Sequence, residues 1–513
     1  MRDRSYLERL TLRFLCILRE YRFSVFASLA AGLASYMFCF TNKLEIMDDL
    51  ACMFGQGASL SSGRWGLDLA AFFMPTFSVP WLNGILSLLL LSAAACIVVK
   101  MFEIRSTLLK ILLPAVMITF PSQTCTFAYM FTAPQYALAL LLAVISADML
   151  ASQKKVFSIG KFVSACILLI FSLSIYQPYV AVAASYLVVY VIYLLLKGEK
   201  ENREILRRGG VYVAVLAGSM IVYYLLTAVI KRICSTEFNS YADGNLNGIS
   251  EILFGVRVAY TSFIAYFYKG YYDLISSPVS KAAHILAVAV TIPCIYASLL
   301  KKENRPEKSG RMILLTVCFI LLPLSVNCIR VISSLFHNLM LFSFTSVYIL
   351  AAVAAENCAD LFSEKKELLR RDIVYGCMIL VTACNIYFSN CVYYKMYLQL
   401  DQAESFYTAV ISSLMNDEDF HEDSRVAFVG KNDVLYDVPM IQTENLTGIR
   451  EGILGTYSQK EFIKVFLGVD LNVCGWDVTD NLEADPRVLA MPSYPYYGSI
   501  RQIDGIYVVR LGS

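Results

Sequence analysis

Apolar residues along this chain gather in long blocks with almost no charge inside them, separated mostly by short polar connections. A helix needs about 20 apolar residues to cross ~30 Å of hydrocarbon. Eleven blocks read as membrane-crossing helices, near residues 23–41, 82–99, 108–121, 134–151, 162–175, 179–196, 211–230, 282–300, 312–326, 335–355 and 373–391. Ahead of the first, Leu7, Leu10, Phe14, Leu15 and Leu18 form an apolar helical stripe beside several arginines, the pattern of a helix lying on the inner leaflet. The block at 23–41 is long for a signal-peptide core and reads as a retained first span.

Three segments are too long to be turns. The first, residues 42–80, carries Glu45, Asp48 and Asp49, then Ser62-Gly63-Arg64-Trp65. Its Ile46, Leu50, Met53 and Phe54 recur at helical spacing. That predicts helices in the membrane interface, with Trp65 at headgroup level and the two carboxylates just above the surface. The second, 231–281, opens with a polar loop (Glu237, Asn239, Asp243, Asn245, Asn247). It continues as Ile252, Leu253, Val256, Tyr260, Phe263, Ile264 and Phe267, a repeat of three and four that predicts a second interfacial helix. This helix bears Arg257 and an aromatic run of Tyr260, Tyr266, Phe267, Tyr268, Tyr271 and Tyr272, either an interfacial belt or a sugar-stacking platform. The third is the tail 392–513, much less hydrophobic, with helices expected at 399–415 and 459–467 and strands at 425–430, 487–490 and 505–511. The expected organisation is a transmembrane domain, 1–391, followed by a small C-terminal α/β domain. Gly430 after its strand is a lone glycine without the spacing of a nucleotide-binding turn.

Composition sharpens this picture. With 513 residues, 58% hydrophobic and only 16% charged, the chain is unlike a soluble enzyme or a disordered scaffold. Lys+Arg 43 against Asp+Glu 41 leaves a net charge of +2, which argues against a nucleic-acid partner. With the N-terminus inside, 26 of the 43 basic residues fall on the inner side and 17 on the outer, nine of these in the long tail. Basic residues favour cytoplasmic connections, so the expected protein is a multi-pass protein of the cell membrane, N-terminus cytoplasmic and C-terminus extracytoplasmic. No Lys or Arg lies deep in a block and Asp148 sits near a block end, which speaks against ion pumps and voltage sensors. The 15 cysteines are scattered without a CxxC, and the three histidines, His284, His337 and His421, are too few and too dispersed for a His-based metal centre.

The order of these features carries a resemblance. Its residues are Asp48-Asp49, Ser62-Gly63-Arg64-Trp65, Tyr176-Gln177-Pro178 at a tight outer turn, and the closing stretch Met491-Pro492-Ser493-Tyr494-Pro495 through Gly498-Ser499-Ile500 to Ile503-Asp504-Gly505. On these the chain resembles, over nearly its whole length, the bacterial Gtr type II family of serotype-converting O-antigen glucosyltransferases. That family lies within the GT-C superfamily of integral membrane glycosyltransferases that use polyprenyl-phosphate sugars. The resemblance implies a GT-C-like polytopic fold and transfer of a sugar, glucose by expectation, from a polyprenyl-phosphate donor to a cell-surface glycan hydroxyl on the extracytoplasmic face, with inversion. It also implies dependence on a lipid-sugar synthase and a flippase.

The residues fit such chemistry. A glycan hydroxyl is a poor nucleophile and needs a carboxylate to take its proton; Asp48 and Asp49 are the candidates, and as adjacent acids they repel and couple. The departing lipid phosphate needs fixed cations. Arg64 and Arg330 are best placed, His337 lies one to two turns beyond Arg330, and Arg257 is a further option. Trp65, Tyr260, Tyr268, Tyr494 and Tyr497 are candidate sugar or acceptor contacts. No cofactor or metal is required, although an acidic pair is able to hold a divalent ion through oxygen ligands. The competing readings are a flippase or exporter of a lipid-linked glycan, and a surface-polysaccharide polymerase.

Overall fold

The computed structural model describes residues 5–44, 46–53, 59–74, 77–152, 158–237, 249–269, 277–301, 308–333, 336–358, 363–430, 438–439, 446, 449 and 458–511. Glu45, Phe54, Tyr271, Tyr272 and the polar positions Asn239 to Asn247 lie outside them. Among the described residues, nine helices are long and apolar enough to cross a membrane: Arg22–Thr41, Pro80–Met101, Ala133–Ala151, Gln177–Lys197, Asn202–Ile233, Pro278–Lys301, Lys308–Val326, Asn338–Asn357 and Glu364–Met415. A pair bent by 44°, Thr107–Ile118 with Pro121–Ala128, raises the count to ten if it is one span, and Ile159–Ile175 is a shorter apolar helix. The chain is a multi-pass helical membrane protein. The bend falls where Pro121, unable to donate an amide hydrogen bond, opens a new helix. All of Pro121–Ala128 is buried.

One end of the bundle is closed by charged side chains that satisfy helix termini. The Arg370 guanidinium donates to the carbonyls of Ala354, Ala355 and Cys358 at 3.1, 3.4 and 2.9 Å, and the Glu356 carboxylate accepts the amides of Arg105 and Ser106. Such contacts supply partners to backbone groups that a helix end leaves open. Ahead of the bundle, helix Tyr6–Glu20 begins with a Ser5–Glu8 capping box and leaves Leu7, Leu10 and Leu15 exposed.

The other end carries the C-terminal module. Glu364–Met415 is one helix of 52 residues, so the expected boundary at 391 falls inside a continuous helix. Its last turns bury Ala403, Phe406, Tyr407, Val410 and Leu414 against a four-stranded sheet ordered β2-β1-β4-β3. The strands are β1 Arg425–Val429, β2 Asn472–Val473, β3 Ile500–Ile503 and β4 Ile506–Arg510. β1 runs parallel to β2 and β4, while β3 and β4 are antiparallel. The strand expected at 487–490 is instead a short helix, Pro486–Leu489. Pro486 stands in its first turn and the Asp485 carboxylate accepts the Arg487 amide, so an N-cap overrides the apolar pattern.

One interfacial expectation changes and the other is refined. Leu50 and Met53 do not face lipid; they pack into the apolar core of the C-terminal module beside Phe462 and Ile463. Helix Trp65–Phe73 does leave Leu69, Phe72 and Phe73 exposed. Helix Ile249–Lys269 is wedged among the spans, with the Tyr260 hydroxyl donating to the Ile320 carbonyl at 2.8 Å and Phe263 stacked on Phe344. Its Tyr266 hydroxyl lies 3.4 Å from that of Tyr348, which hydrogen-bonds His284, a buried histidine inside Pro278–Lys301. Only one side of this helix is covered by protein, since Leu253, Phe254 and Ile264 stay exposed as an apolar face that lipid is able to cover.

Gly66, which follows Trp65, packs directly on span Ile159–Ile175, where a Cβ would stand 1.9 Å from the Ser174 hydroxyl oxygen and 2.9 Å from its backbone. Gly66→Ala is expected to cost about 1–3 kcal/mol through overpacking, visible as a lowered melting temperature of the detergent-solubilised protein; an unchanged melting temperature would contradict this packing.

Candidate functional site

The segment Ser59–Trp65 is shaped by a tight turn in which the Gly63 amide donates to Leu60 and the Arg64 amide to Ser59. Gly63 has φ +73°, a left-handed conformation that favours glycine. The Tyr223 hydroxyl donates to the Gly63 carbonyl at 2.9 Å, while Gln177 Nε2 reaches the Ser62 carbonyl at 3.2 Å and Tyr223 Oη at 2.8 Å. The Trp65 indole N–H donates to Thr227 at 3.0 Å. Arg64 Nη1 donates to Tyr136 Oη at 2.9 Å, and its guanidinium lies 5.7 Å from the Tyr176 ring, which stacks on Tyr136 at 4.4 Å. Two short sequence motifs, Ser62-Gly63-Arg64-Trp65 and Tyr176-Gln177-Pro178, are therefore one structural unit.

Asp48 and Asp49 share helix Met47–Ala51 but differ in surroundings. Asp49 is buried, accepting the Ser78 hydroxyl at 2.6 Å and the Phe131 amide at 3.0 Å. Burial pushes its carboxyl up to about 6, against the opposing pull of Ser78, Lys43 and the amides of Phe131 and Met130. Lys43 Nζ in turn donates to the Ser78 carbonyl at 2.9 Å. Asp48 is half-buried. The imidazole of His337 is held below its ordinary range by burial and by Arg64, while Asp48 pulls it upward. Arg64 and Asp48 thus each lie within electrostatic reach of His337. Next to His337, the Phe336 ring carries the Arg330 guanidinium at 3.9 Å, and burial pushes Arg330 down to about 10.

The remaining candidates lie elsewhere. Gly255 meets the Arg330 backbone, but Arg257, two residues on and roughly 200° around the helix, is exposed and turned from that contact. Tyr260 spends its hydroxyl on Ile320, and Tyr268 is exposed beside Lys269. Tyr494 packs its ring on Phe406 in the module, and Tyr497 is fully exposed. Among the described residues no three His, Cys, Asp or Glu side chains group as a metal site. Both Asp49 oxygens already accept hydrogen bonds, so the adjacent pair does not offer two free carboxylates to a divalent ion. Sequence reasoning passed over Tyr136, Ser78 and Lys43, whose roles come from contacts distant in the chain and leave no local signal.

The Asp49 environment has a pH signature. A carboxyl that titrates near 3.8 when unfolded and near 6 when folded keeps its proton longer in the native state. Its stabilising contribution is present below about pH 4 and is lost as pH rises through 6, on the order of 3 kcal/mol. The melting temperature of the native protein is expected to fall relative to Asp49→Asn between those pH values. A difference between the two that does not vary with pH would rule out the buried acid.

A family model described as Glucosyl transferase GtrII matches residues 37–355, which hold Asp48, Asp49, Arg64, Arg330 and His337 and stop short of the C-terminal module. No curated protein and no solved structure matches the chain.

Proposed function

The chain belongs to the GtrII glucosyl transferase family, and from that premise we propose that this membrane glycosyltransferase moves glucose from a polyprenyl-phosphate carrier to a hydroxyl of a cell-surface glycan. The observation that carries the reading is that Asp48 and Arg64 both lie within electrostatic reach of His337, at the end of the bundle that meets the C-terminal module. An acid, a fixed guanidinium and an imidazole in one neighbourhood are what a displacement at a sugar phosphate needs.

Asp48 is the base. Its carboxylate takes the proton of the acceptor hydroxyl as that oxygen attacks the anomeric carbon. The bond from the anomeric carbon to the phosphate oxygen breaks, and polyprenyl phosphate leaves with the electron pair. One displacement inverts the configuration. Arg64, held by Tyr136, receives the charge growing on the phosphate, with Arg330 and His337 as further groups for that charge. Asp49, enclosed by Ser78 and Phe131, holds the helix that presents Asp48. The prenyl chain runs into an apolar cavity of about 250 Å³ walled by Phe263, Phe319, Leu322, Val347 and Ala351, among them residues of the spans that precede Arg330 and follow His337 in the chain. The reaction face is extracytoplasmic in this scheme, with the basic connections of the opposite end in the cytoplasm. A separate synthase and a flippase supply the donor.

Purified protein in liposomes with a polyprenyl-phosphate glucose donor tests this. Asp48→Asn is expected to lower transfer about 10²- to 10⁴-fold while donor binding and melting temperature hold, and Arg64→Ala to lower it about 10²- to 10³-fold. Full transfer by Asp48→Asn would overturn the assignment, whereas no transfer by the native protein, with movement of the lipid-linked sugar across the bilayer that Asp48→Asn leaves unchanged, is the result expected of a flippase.

A further inference from the structure

The C-terminal module contains a cavity of about 220 Å³ apart from the acidic pair. It opens outside the carboxyl ends of β1 and β2, between the first turns of helices Gln459–Leu467 and Trp476–Glu483. The chain passes from β1 to β2 through the first of these helices, then returns across β1 through the second toward β3 and β4 on the other side. A crevice where successive connections leave in opposite directions is where open α/β sheets bind their ligands.

Its walls are amphipathic. Phe428 and Val473 make an apolar floor, Gln459, Lys460 and Thr479 bring polar groups, and the Trp476 indole stands at the rim. Gln459 and Thr479 are buried. Trp476 is 53% exposed, a large ring left in water beside hydrogen-bonding groups. A saccharide has the same division, with apolar C–H faces that stack on a ring and hydroxyls around its edge. One lysine and no glycine-rich turn suit a sugar better than a nucleotide phosphate. Position adds a link to the chemistry. Helix Gln459–Leu467 buries Phe462 and Ile463 in the same apolar cluster as Leu50 and Met53, which follow the acidic pair. One helix therefore both lines the cavity and packs in the cluster that anchors the helix of Asp48.

We propose that this cavity binds the acceptor glycan, with Trp476 as its stacking platform and Gln459, Lys460 and Thr479 as its polar wall. The proposal rests on the glycosyltransferase reading above. It extends that reading to a module outside the matched family region.

The test uses the full chain in detergent and, as probe, the delipidated surface polysaccharide of the source cell. Equilibrium binding is measured in the Asp48→Asn background, where transfer does not complicate it, and acceptor kinetics in the otherwise native chain. Trp476→Ala is expected to weaken polysaccharide binding and raise the acceptor KM at least about tenfold, with kcat and donor KM preserved. Trp476→Phe, which keeps a ring, is expected to stay within about threefold of the native protein. Because Trp476 lies at the surface, an unchanged melting temperature separates lost binding from lost folding. Native binding and native acceptor KM in Trp476→Ala would overturn the cavity while leaving the transferase reading intact. Trp476-dependent binding by a protein that transfers no sugar would support the cavity and remove the transferase reading instead.

Discussion

The structure turns on a buried carboxylate. Asp49 sits out of water with the Ser78 hydroxyl and the Phe131 amide on its two oxygens. These bonds staple the first long loop to the segment that opens span Ala133–Ala151. On the other side of the same short helix, Leu50 and Met53 enter the core of the C-terminal module. A helix of five residues has little stability of its own, so its position comes from these two attachments. Asp48, the residue immediately before Asp49, is placed as a consequence.

The second fixed element is the cradle around Arg64. Tyr223, Gln177, Thr227 and Tyr136 come from three different helices and each bonds one residue of the Ser62–Trp65 segment. The guanidinium is thereby oriented before any phosphate arrives, and preorganised charge stabilises a transition state without reorganisation at the moment of reaction. Two adjacent acids that look alike in sequence differ in the structure: Asp49 is enclosed by hydrogen bonds and holds the frame, while Asp48, half-buried, is the one proposed as base.

The spans were legible because a charged group inside hydrocarbon is expensive, so blocks free of Lys and Arg mark membrane helices with little ambiguity. The same logic misses a break such as Thr119–Phe120, where hydropathy continues while the backbone turns. Apolar stripes are the weak point. Leu50 and Met53 carry a helical repeat that fits a lipid surface as well as a protein core, and only tertiary packing decides. In the module the apolar run ending at Leu489 gave way to a cap at Asp485. Arg64 and the acidic pair stood out as rare charges beside apolar blocks, but Tyr136, Ser78 and the Phe131 amide meet them only through the fold. His284, inside a span and bonded to Tyr348, shows that ionisable groups at depth extend beyond the Lys and Arg count.

The proposed mechanism, with a single carboxylate base and a sugar phosphate donor, requires one displacement, and the anomeric configuration of the product reports on it directly. The measurement is proton NMR of the glycan formed by the reconstituted protein from a polyprenyl-phosphate glucose of known anomeric configuration. The account predicts a new glucosyl linkage of the opposite configuration, formed in step with release of polyprenyl phosphate. A product of the same configuration as the donor, or glucose accepted only from a nucleotide sugar, would contradict it.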